Sequence, residues 1–185
     1  MLFYPPSEDS YLMEDAIKEK KEGNIRIIVE VGSGSGYVSK VLQKEYPLSQ
    51  IISTDINPHA IEATARLCAG ITTTAIRTSM IDGLRIKADL AVFNPPYLPS
   101  EEKYLVGEWM DRAWAGGADG MEVTNKFLDE TADIRIRYVL LCQYNNPESV
   151  IKELKKNKYA VTTIKQQKIL NEYLQIIRIE KMPNV

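Results

Sequence analysis

Glu30-Val31-Gly32-Ser33-Gly34-Ser35-Gly36 follows the β-branched run Ile25 to Val31 and leads into Ser35 to Glu45, a segment of helical periodicity. A glycine-rich bend between a strand and a helix is the place where an open α/β sheet holds nucleotides, outside its strand ends. Glycine lets ligand and backbone touch because no Cβ stands between them. Gln50 to Asp55 reads as a second strand closing on an acid, and a carboxylate there can accept both hydroxyls of a ribose. Each such charge-assisted bond contributes roughly 1.5–3 kcal/mol. Bend and acid would also suit a nicotinamide dinucleotide, but that fingerprint needs its third glycine where this chain has Tyr37. A glycine-rich turn that binds nothing is the local alternative.

Outward from the bend, Ser7-Glu8-Asp9 opens a segment with Tyr11, Leu12, Ala16 and Ile17 at helical spacing. Ser7 suits an N-cap and the two acids suit a helix N-terminus. That helix runs out near Gly23. Past Asp55 the alternation continues with a helix near Pro58 to Cys68 and strands at Ile71 to Arg77 and Lys87 to Phe93. Met121 to Glu130 and Pro147 to Lys156 read as helices, with Ile134 to Leu141 a strand between them. Tyr159 to Ile164 and Tyr173 to Ile179 leave no room for a helix between them and read as an antiparallel hairpin. The expected fold is therefore α/β, a Rossmann-like doubly wound sheet of seven strands, mostly parallel with a C-terminal antiparallel hairpin and helices on both faces. At 185 residues it is expected to form a single domain, 1–185.

Composition narrows the classes. Hydrophobic content of 44%, charged content of 26% and a net charge of -2 describe an ordinary globular chain without a polyanion-binding signature. Cys68 and Cys142 sit in apolar contexts, which suits buried thiols in a reducing compartment, and with His59 they do not make up a zinc set. Glu8, Asp9, Glu14, Asp15, Lys18 and Lys20 rule out a signal peptide in the first twenty residues, and no apolar run approaches a membrane span. The expected location is the cytosol, with the nucleus as a second compartment.

A second motif specifies the chemistry. Asn94-Pro95-Pro96-Tyr97 follows Ala88-Asp89-Leu90-Ala91-Val92-Phe93, so it sits where a buried strand ends. A planar NH2 needs two acceptors in its own plane and a flat surface beneath it. Asn94 can supply its side-chain oxygen and Pro95 its carbonyl, while the two prolines preset the local backbone. Tyr97 offers the stacking face. The plain alternative is a Pro-Pro turn closing a strand.

Taken in order, the glycine bend, the acid-ended strand and Asn-Pro-Pro-Tyr resemble the class I S-adenosylmethionine-dependent methyltransferases that modify planar nitrogens. Tyr4-Pro5-Pro6-Ser7-Glu8-Asp9-Ser10, Thr54-Asp55-Ile56-Asn57-Pro58 and Ala113-Trp114-Ala115-Gly116-Gly117 look like the HemK-type glutamine methyltransferases. The likeness is greatest to the eukaryotic and archaeal single-domain branch, which acts on the Gly-Gly-Gln glutamine of the class I release factor, the factor being paired with its GTPase. The resemblance implies that Glu30, Gly32, Gly34 and Gly36 border S-adenosylmethionine, with Asp55 and Ile56 at its ribose. Ser10 would lie near the methionine end, and Asn94 would touch both cofactor and substrate. Pro95, Pro96, Tyr97 and Trp114 would complete the substrate site. It further implies that a small zinc-binding activator protein covers the edge strand Ile71 to Arg77, whose β-branched, nearly uncharged sequence is an aggregation liability if left open.

The chain departs from the family after its third strand. The family commonly has an acid beside the adenine amino group, where this chain reads Thr78-Ser79-Met80-Ile81-Asp82. Ser79 and the Met80 N–H are the remaining candidates for adenine contact. Leu98 to Asp119, with Trp109 and Trp114, is long for a connection and is expected to be a substrate-facing lid, the alternative being a loop whose tryptophans fill the core. Asp119 and Glu122 mark its end without an assigned role. The rival enzyme is an adenine-N6 methyltransferase on DNA or RNA, disfavoured by charge and by the lack of room for a recognition domain. A catalytically idle scaffold of the same fold is the rival from another class.

Overall fold

The computed structural model describes residues 2–70, 72–169 and 171–182. Its elements run α1 (Glu8–Glu19), β1 (Ile27–Val31), α2 (Tyr37–Glu45), β2 (Gln50–Asp55), α3 (Pro58–Leu67), β3 (Thr73–Arg77) and β4 (Leu90–Phe93). Two short helices follow, α4 (Glu102–Leu105) and α5 (Trp109–Arg112), then α6 (Glu122–Glu130), β5 (Ile136–Cys142), α7 (Pro147–Lys156), β6 (Tyr159–Ile169) and β7 (Glu172–Lys181). The seven strands form one sheet in the order β3-β2-β1-β4-β5-β7-β6. The pairs from β3 through β5 are parallel, and β7 runs antiparallel to both β5 and β6.

Alternation along the strands sends side chains to two cores. Ile28, Leu90, Val92, Tyr138 and Leu140 face Leu12, Met13 and Ile17 of α1 and Val41 and Leu42 of α2. Their sequence neighbours Val29, Ala91, Phe93, Val139 and Leu141 face Phe127 of α6 and Leu154 of α7. Strands buried on both faces explain why β4 and β5 read as continuous apolar runs. Phe93 and Phe127 meet with ring centroids 5.0 Å apart, and burying each such side chain contributes roughly 1.5–3 kcal/mol.

Several boundaries differ from the sequence expectation for identifiable reasons. The strand expected over Lys87 to Phe93 begins at Leu90, because the Asp89 carboxylate accepts the backbone N–H groups of Arg26 and Ile27 at 2.8 and 3.1 Å, ahead of the ladder. The next strand starts at Ile136 and not Ile134, whose N–H closes a turn onto the Thr131 carbonyl at 2.9 Å. α2 begins at Tyr37, since Gly36 is left-handed with φ 81°. The hairpin strands are far longer than expected: pairing resumes beyond an irregularity between Thr163 and Lys165 and continues to Ile169 opposite Glu172. The polar residues read as a connection occupy a largely solvent-facing edge strand. Ile71, the expected start of the third strand, lies outside the described residues, and β3 begins at Thr73.

Two buried carboxyl groups tie the sheet together. Glu30 of β1 accepts a hydrogen bond from Ser39 of α2, whose hydroxyl also meets Ser53 of β2 at 2.9 Å. Burial pushes the Glu30 carboxyl up to about 7, against the two serine hydroxyls that favour its charge. Glu22, just before β1, receives Arg178 Nε at 2.6 Å and Nη2 at 3.1 Å, and the Tyr138 hydroxyl at 2.6 Å. Burial alone would raise the Glu22 carboxyl, but the bonds from Arg178 and Tyr138 outweigh it and hold the group below the usual glutamate range.

These two groups give stability opposite slopes with pH. Glu22 has a lowered folded-state value, so its contribution is complete above pH 4.5 and is lost as pH falls through the depressed value. Glu22→Ala should cost about 1.5–3 kcal/mol in urea unfolding at pH 7, because Arg178 loses both bonds to Glu22 and keeps only Glu180 at 2.7 Å among the described residues. Glu30 has a raised value, so its neutral form favours folding below pH 4.5 and that advantage is lost between pH 4.5 and about 7. Glu30→Gln should flatten the pH dependence in that window by about 3 kcal/mol, measured on the protein without ligand.

Candidate functional site

The parallel register places Val31 of β1 opposite Phe93 of β4, so the glycine bend and Asn94 leave the sheet side by side. These are the carboxyl ends of neighbouring strands whose connections depart in opposite directions, the crevice where open α/β sheets bind ligands. A cavity of about 850 Å³ opens there. Ser10, Glu30, Gly32, Gly34, Asp55 and Ile56 line one part of it, and Asn94, Pro95, Pro96, Tyr97 and Trp114 another. Ser79 and Met80 lie on its wall as well.

Gly36 does not border this cavity, contrary to expectation. A Cβ there would stand 2.8 Å from Thr64 Cα, so this glycine lets the bend pack against α3. Gly32, with φ 67°, does lie on the cavity, and a Cβ at that position would approach the Phe93 ring at 3.0 Å. Ser33 N–H donates to the Thr54 carbonyl at 3.0 Å and fastens the bend to β2.

Asp55 is held rather than free. Its Oδ2 accepts Gly34 N–H at 2.9 Å and its Oδ1 accepts Asn57 N–H at 2.8 Å, leaving one lone-pair direction on each oxygen. Burial raises its carboxyl, opposed by these backbone bonds. Asn57 Nδ2 donates to the Leu2 carbonyl at 2.7 Å, which draws the N-terminal segment with Phe3 and Tyr4 over the cavity. Ser10 is buried in α1, its hydroxyl accepting Ser7 N–H at 3.4 Å and donating to Asp9 Oδ1 at 3.2 Å.

Asn94 Oδ1 is buried and finds no hydrogen-bond partner among the described residues. A buried acceptor without a donor costs about 1–3 kcal/mol, so its retention on a cavity wall calls for a ligand N–H. The Pro95 carbonyl likewise accepts nothing among the described residues. Beyond them the segment is rigid: Tyr97 OH donates to Glu172 Oε2 at 3.0 Å, and the Tyr97 carbonyl accepts Asn145 Nδ2 at 2.9 Å. Burial, with Asp9 and Glu172 nearby, raises the Tyr97 phenol well above its usual value.

The long segment after Tyr97 carries α4 and α5, which periodicity did not reveal. Its two ends are clamped, Leu98 N–H to the Trp114 carbonyl at 3.1 Å and Gly116 N–H to the Leu98 carbonyl at 2.8 Å. Trp109 and Trp114 belong to neither core; both are half-buried and line the cavity. Arg112 lies over the Trp109 ring at 4.9 Å, with its buried Nε unpartnered among the described residues. Asp119 accepts Met121 N–H at 2.9 Å and Glu122 accepts Ala118 N–H at 3.0 Å, so both acids brace the turn into α6. Of the two, Glu122 also reaches the cavity.

Tyr4, Arg112, Lys126 and Glu172 line the cavity without having been singled out in the sequence. Tyr4 stands inside a quoted motif and could have been read from it. The other three come from α5, α6 and the start of β7, with no local pattern to mark them.

The family model of the methyltransferase small domain matches residues 9–113. Methyltransferase HEMK2 of Homo sapiens is 32% identical over 191 aligned positions, covering 96% of this chain and 89% of that protein. The eRF1 methyltransferase catalytic subunit mtq2 of Schizosaccharomyces pombe is 31% identical, covering 98% and 90%. Among solved structures, the Mtq2-Trm112 complex of E. cuniculi, responsible for methylation of the eRF1 translation termination factor, superposes with a TM-score of 0.81 at 29% identity over 98% of this chain and all of that one. The human METTL16 catalytic domain, at 12% identity and a TM-score of 0.69, shares the fold. By family match, near full-length identity and sheet topology, the chain belongs to the methyltransferase small-domain family, among its HemK-type members.

Proposed function

We propose that this chain, acting as one domain over 1–185, methylates the side-chain nitrogen of the Gly-Gly-Gln glutamine in the eukaryotic and archaeal class I release factor, in the cytosol and with the factor bound to its GTPase. The observation that carries this reading is the buried Asn94 Oδ1 on the cavity wall, which like the neighbouring Pro95 carbonyl has no donor among the described residues. Two acceptors a residue apart match the two N–H groups of a planar amide, and accepting from both directs electron density back onto nitrogen. S-adenosylmethionine, when bound, supplies an electrophilic methyl group on sulfonium sulfur.

The residues present fit that cofactor. Gly32 and Gly34 leave the bend open to close approach, and Asp55 keeps one acceptor direction on each oxygen for a diol. Asn94 and Pro95 hold the amide nitrogen in place, so positioning accounts for most of the rate advantage. The Glu172 bond to the Tyr97 hydroxyl fixes the aromatic ring under the substrate amide. Asp9 and Glu172 stand beside Tyr97, a setting that disfavours a phosphate at the substrate end.

A partner belongs to the same reading. β3 lies at the sheet edge with one side unpaired among the described strands. Thr74 and Arg77 are exposed and the other three residues half-buried. The E. cuniculi relative is a complex with Trm112, and a small zinc-binding activator adding a strand here would cover that edge.

The decisive assay supplies labelled S-adenosylmethionine and the release factor with its GTPase, then locates the mass gain by peptide sequencing at the Gly-Gly-Gln glutamine. Asn94→Ala should reduce transfer at least ~100-fold while cofactor affinity stays within about threefold. Asp55→Ala should weaken cofactor binding about 10- to 100-fold. Transfer by Asn94→Ala within a few-fold of the parent would remove Asn94 from the chemistry. For the partner, co-expression with an activator should raise soluble yield and activity; a chain that is monodisperse and fully active alone has no need of one.

A further inference from the structure

Two cationic side chains line the cavity among the described residues, Arg112 of α5 and Lys126 of α6. Lys126 is committed: its Nζ donates to Ser79 Oγ at 2.9 Å and stands 3.8 and 3.5 Å from the Asp82 and Glu130 carboxylates. Arg112 is not. Among the described residues its buried Nε has no partner and its guanidinium enters no ion pair. A buried donor without an acceptor costs about 1–3 kcal/mol.

The backbone fixes where that side chain starts. Arg112 N–H donates to the Glu108 carbonyl at 3.1 Å, and Trp114 and Ala115 N–H donate to the Asp111 carbonyl at 3.2 and 3.0 Å, so α5 is tied to the clamped end of its segment. Arg112 Cζ lies over the Trp109 ring, 4.9 Å from the centroid. The ring face attracts the cation but supplies no lone pair for its N–H groups. Arg137 has the same aromatic support over Tyr159 and no cavity beside it, whereas Arg112 has both.

The guanidinium belongs to the Asp55 end of the cavity. Burial raises the Asp55 carboxyl, and the Arg112 charge joins the backbone N–H groups in opposing that rise. The two side chains therefore face one space without forming an ion pair. A ligand group that fits between a carboxylate and a guanidinium must donate to the first and accept from the second. A hydroxyl does both from a single oxygen, while an ammonium only donates and a carboxylate only accepts.

We infer that Arg112 is a second ribose-binding residue of the cofactor site, its guanidinium donating to hydroxyl oxygens whose protons are given to Asp55. This rests on the cofactor reading above, in which Asp55 accepts from the ribose diol. Carboxylate, hydroxyl and guanidinium then form a chain in which each bond polarises the next. The segment after Tyr97 thereby serves the cofactor as well as the substrate.

The test is a binding cycle by calorimetric titration of the full chain, with its activator where solubility requires one. The ligands are S-adenosylhomocysteine and its analogue lacking both ribose hydroxyls, the weaker one measured by displacement. Arg112→Met keeps an unbranched stem beside Trp109 and should weaken S-adenosylhomocysteine about 10-fold or more. Affinity for the analogue should stay within about twofold, so the preference for the hydroxylated compound shrinks by the same ~10-fold. Arg112→Lys keeps the charge without the planar fork and should recover only part of the loss. Equal weakening of both compounds makes Arg112 a brace of the fold and overturns the inference. Unchanged affinity for S-adenosylhomocysteine overturns it as well, and a raised KM for the release factor then assigns the guanidinium to the peptide. Failure of S-adenosylhomocysteine to bind the parent overturns the cofactor reading itself, so the two failures are distinct.

Discussion

Parallel pairing of β1 with β4 is the constraint from which the site follows. Val31 opposite Phe93 brings together a glycine bend and an asparagine 62 positions apart in sequence. A Cβ on Gly32 would come within 4.0 Å of the Asn94 carbonyl oxygen, which shows how little separates the two loops. One holds the Asp55 carboxylate through Gly34, the other carries the Asn94 side-chain oxygen, and the sheet fixes their spacing. The flanking cores make this pairing stiff, since both strands are buried on both faces.

Polar atoms inside that scaffold divide into satisfied and unsatisfied groups, and the division separates structure from function. Glu22 is saturated by Arg178 and Tyr138 and closes the amino-terminal side of the sheet. Glu30 is hydrogen-bonded by Ser39, and its burial at the cavity wall raises its carboxyl. Asn94 Oδ1 has no partner among the described residues and lies on the cavity wall. Arg137 is a different case: its buried Nε and Nη2 have no partner among the described residues, its Nη1 donates to the Leu128 carbonyl at 3.0 Å, and its guanidinium lies 4.5 Å over Tyr159. It borders no described cavity, and the aromatic face is the compensation it has.

The segment between Tyr97 and Gly120 forms one wall of the cavity. Its ends are clamped by backbone bonds while its two short helices hold Trp109 and Trp114 against the cavity and not in a core.

Strand and helix identities were legible in residue order because hydrophobic period and glycine placement are local properties. All seven strands and the helices from α1 to α3 and α6 to α7 follow from them, as does the doubly wound class with its antiparallel hairpin. The bend, Asp55 and Asn94 to Tyr97 could likewise be named in advance, since each motif is contiguous. Gly36 was misplaced because a glycine needed for helix packing looks the same in sequence as one needed for a ligand, and only Thr64 across the interface distinguishes them. The long hairpin, the short helices α4 and α5, and the arrival of Arg112, Lys126 and Glu172 at one cavity depend on contacts between distant elements. Such contacts leave no periodic trace in the chain, because they are selected by packing geometry and not by the residues next to them.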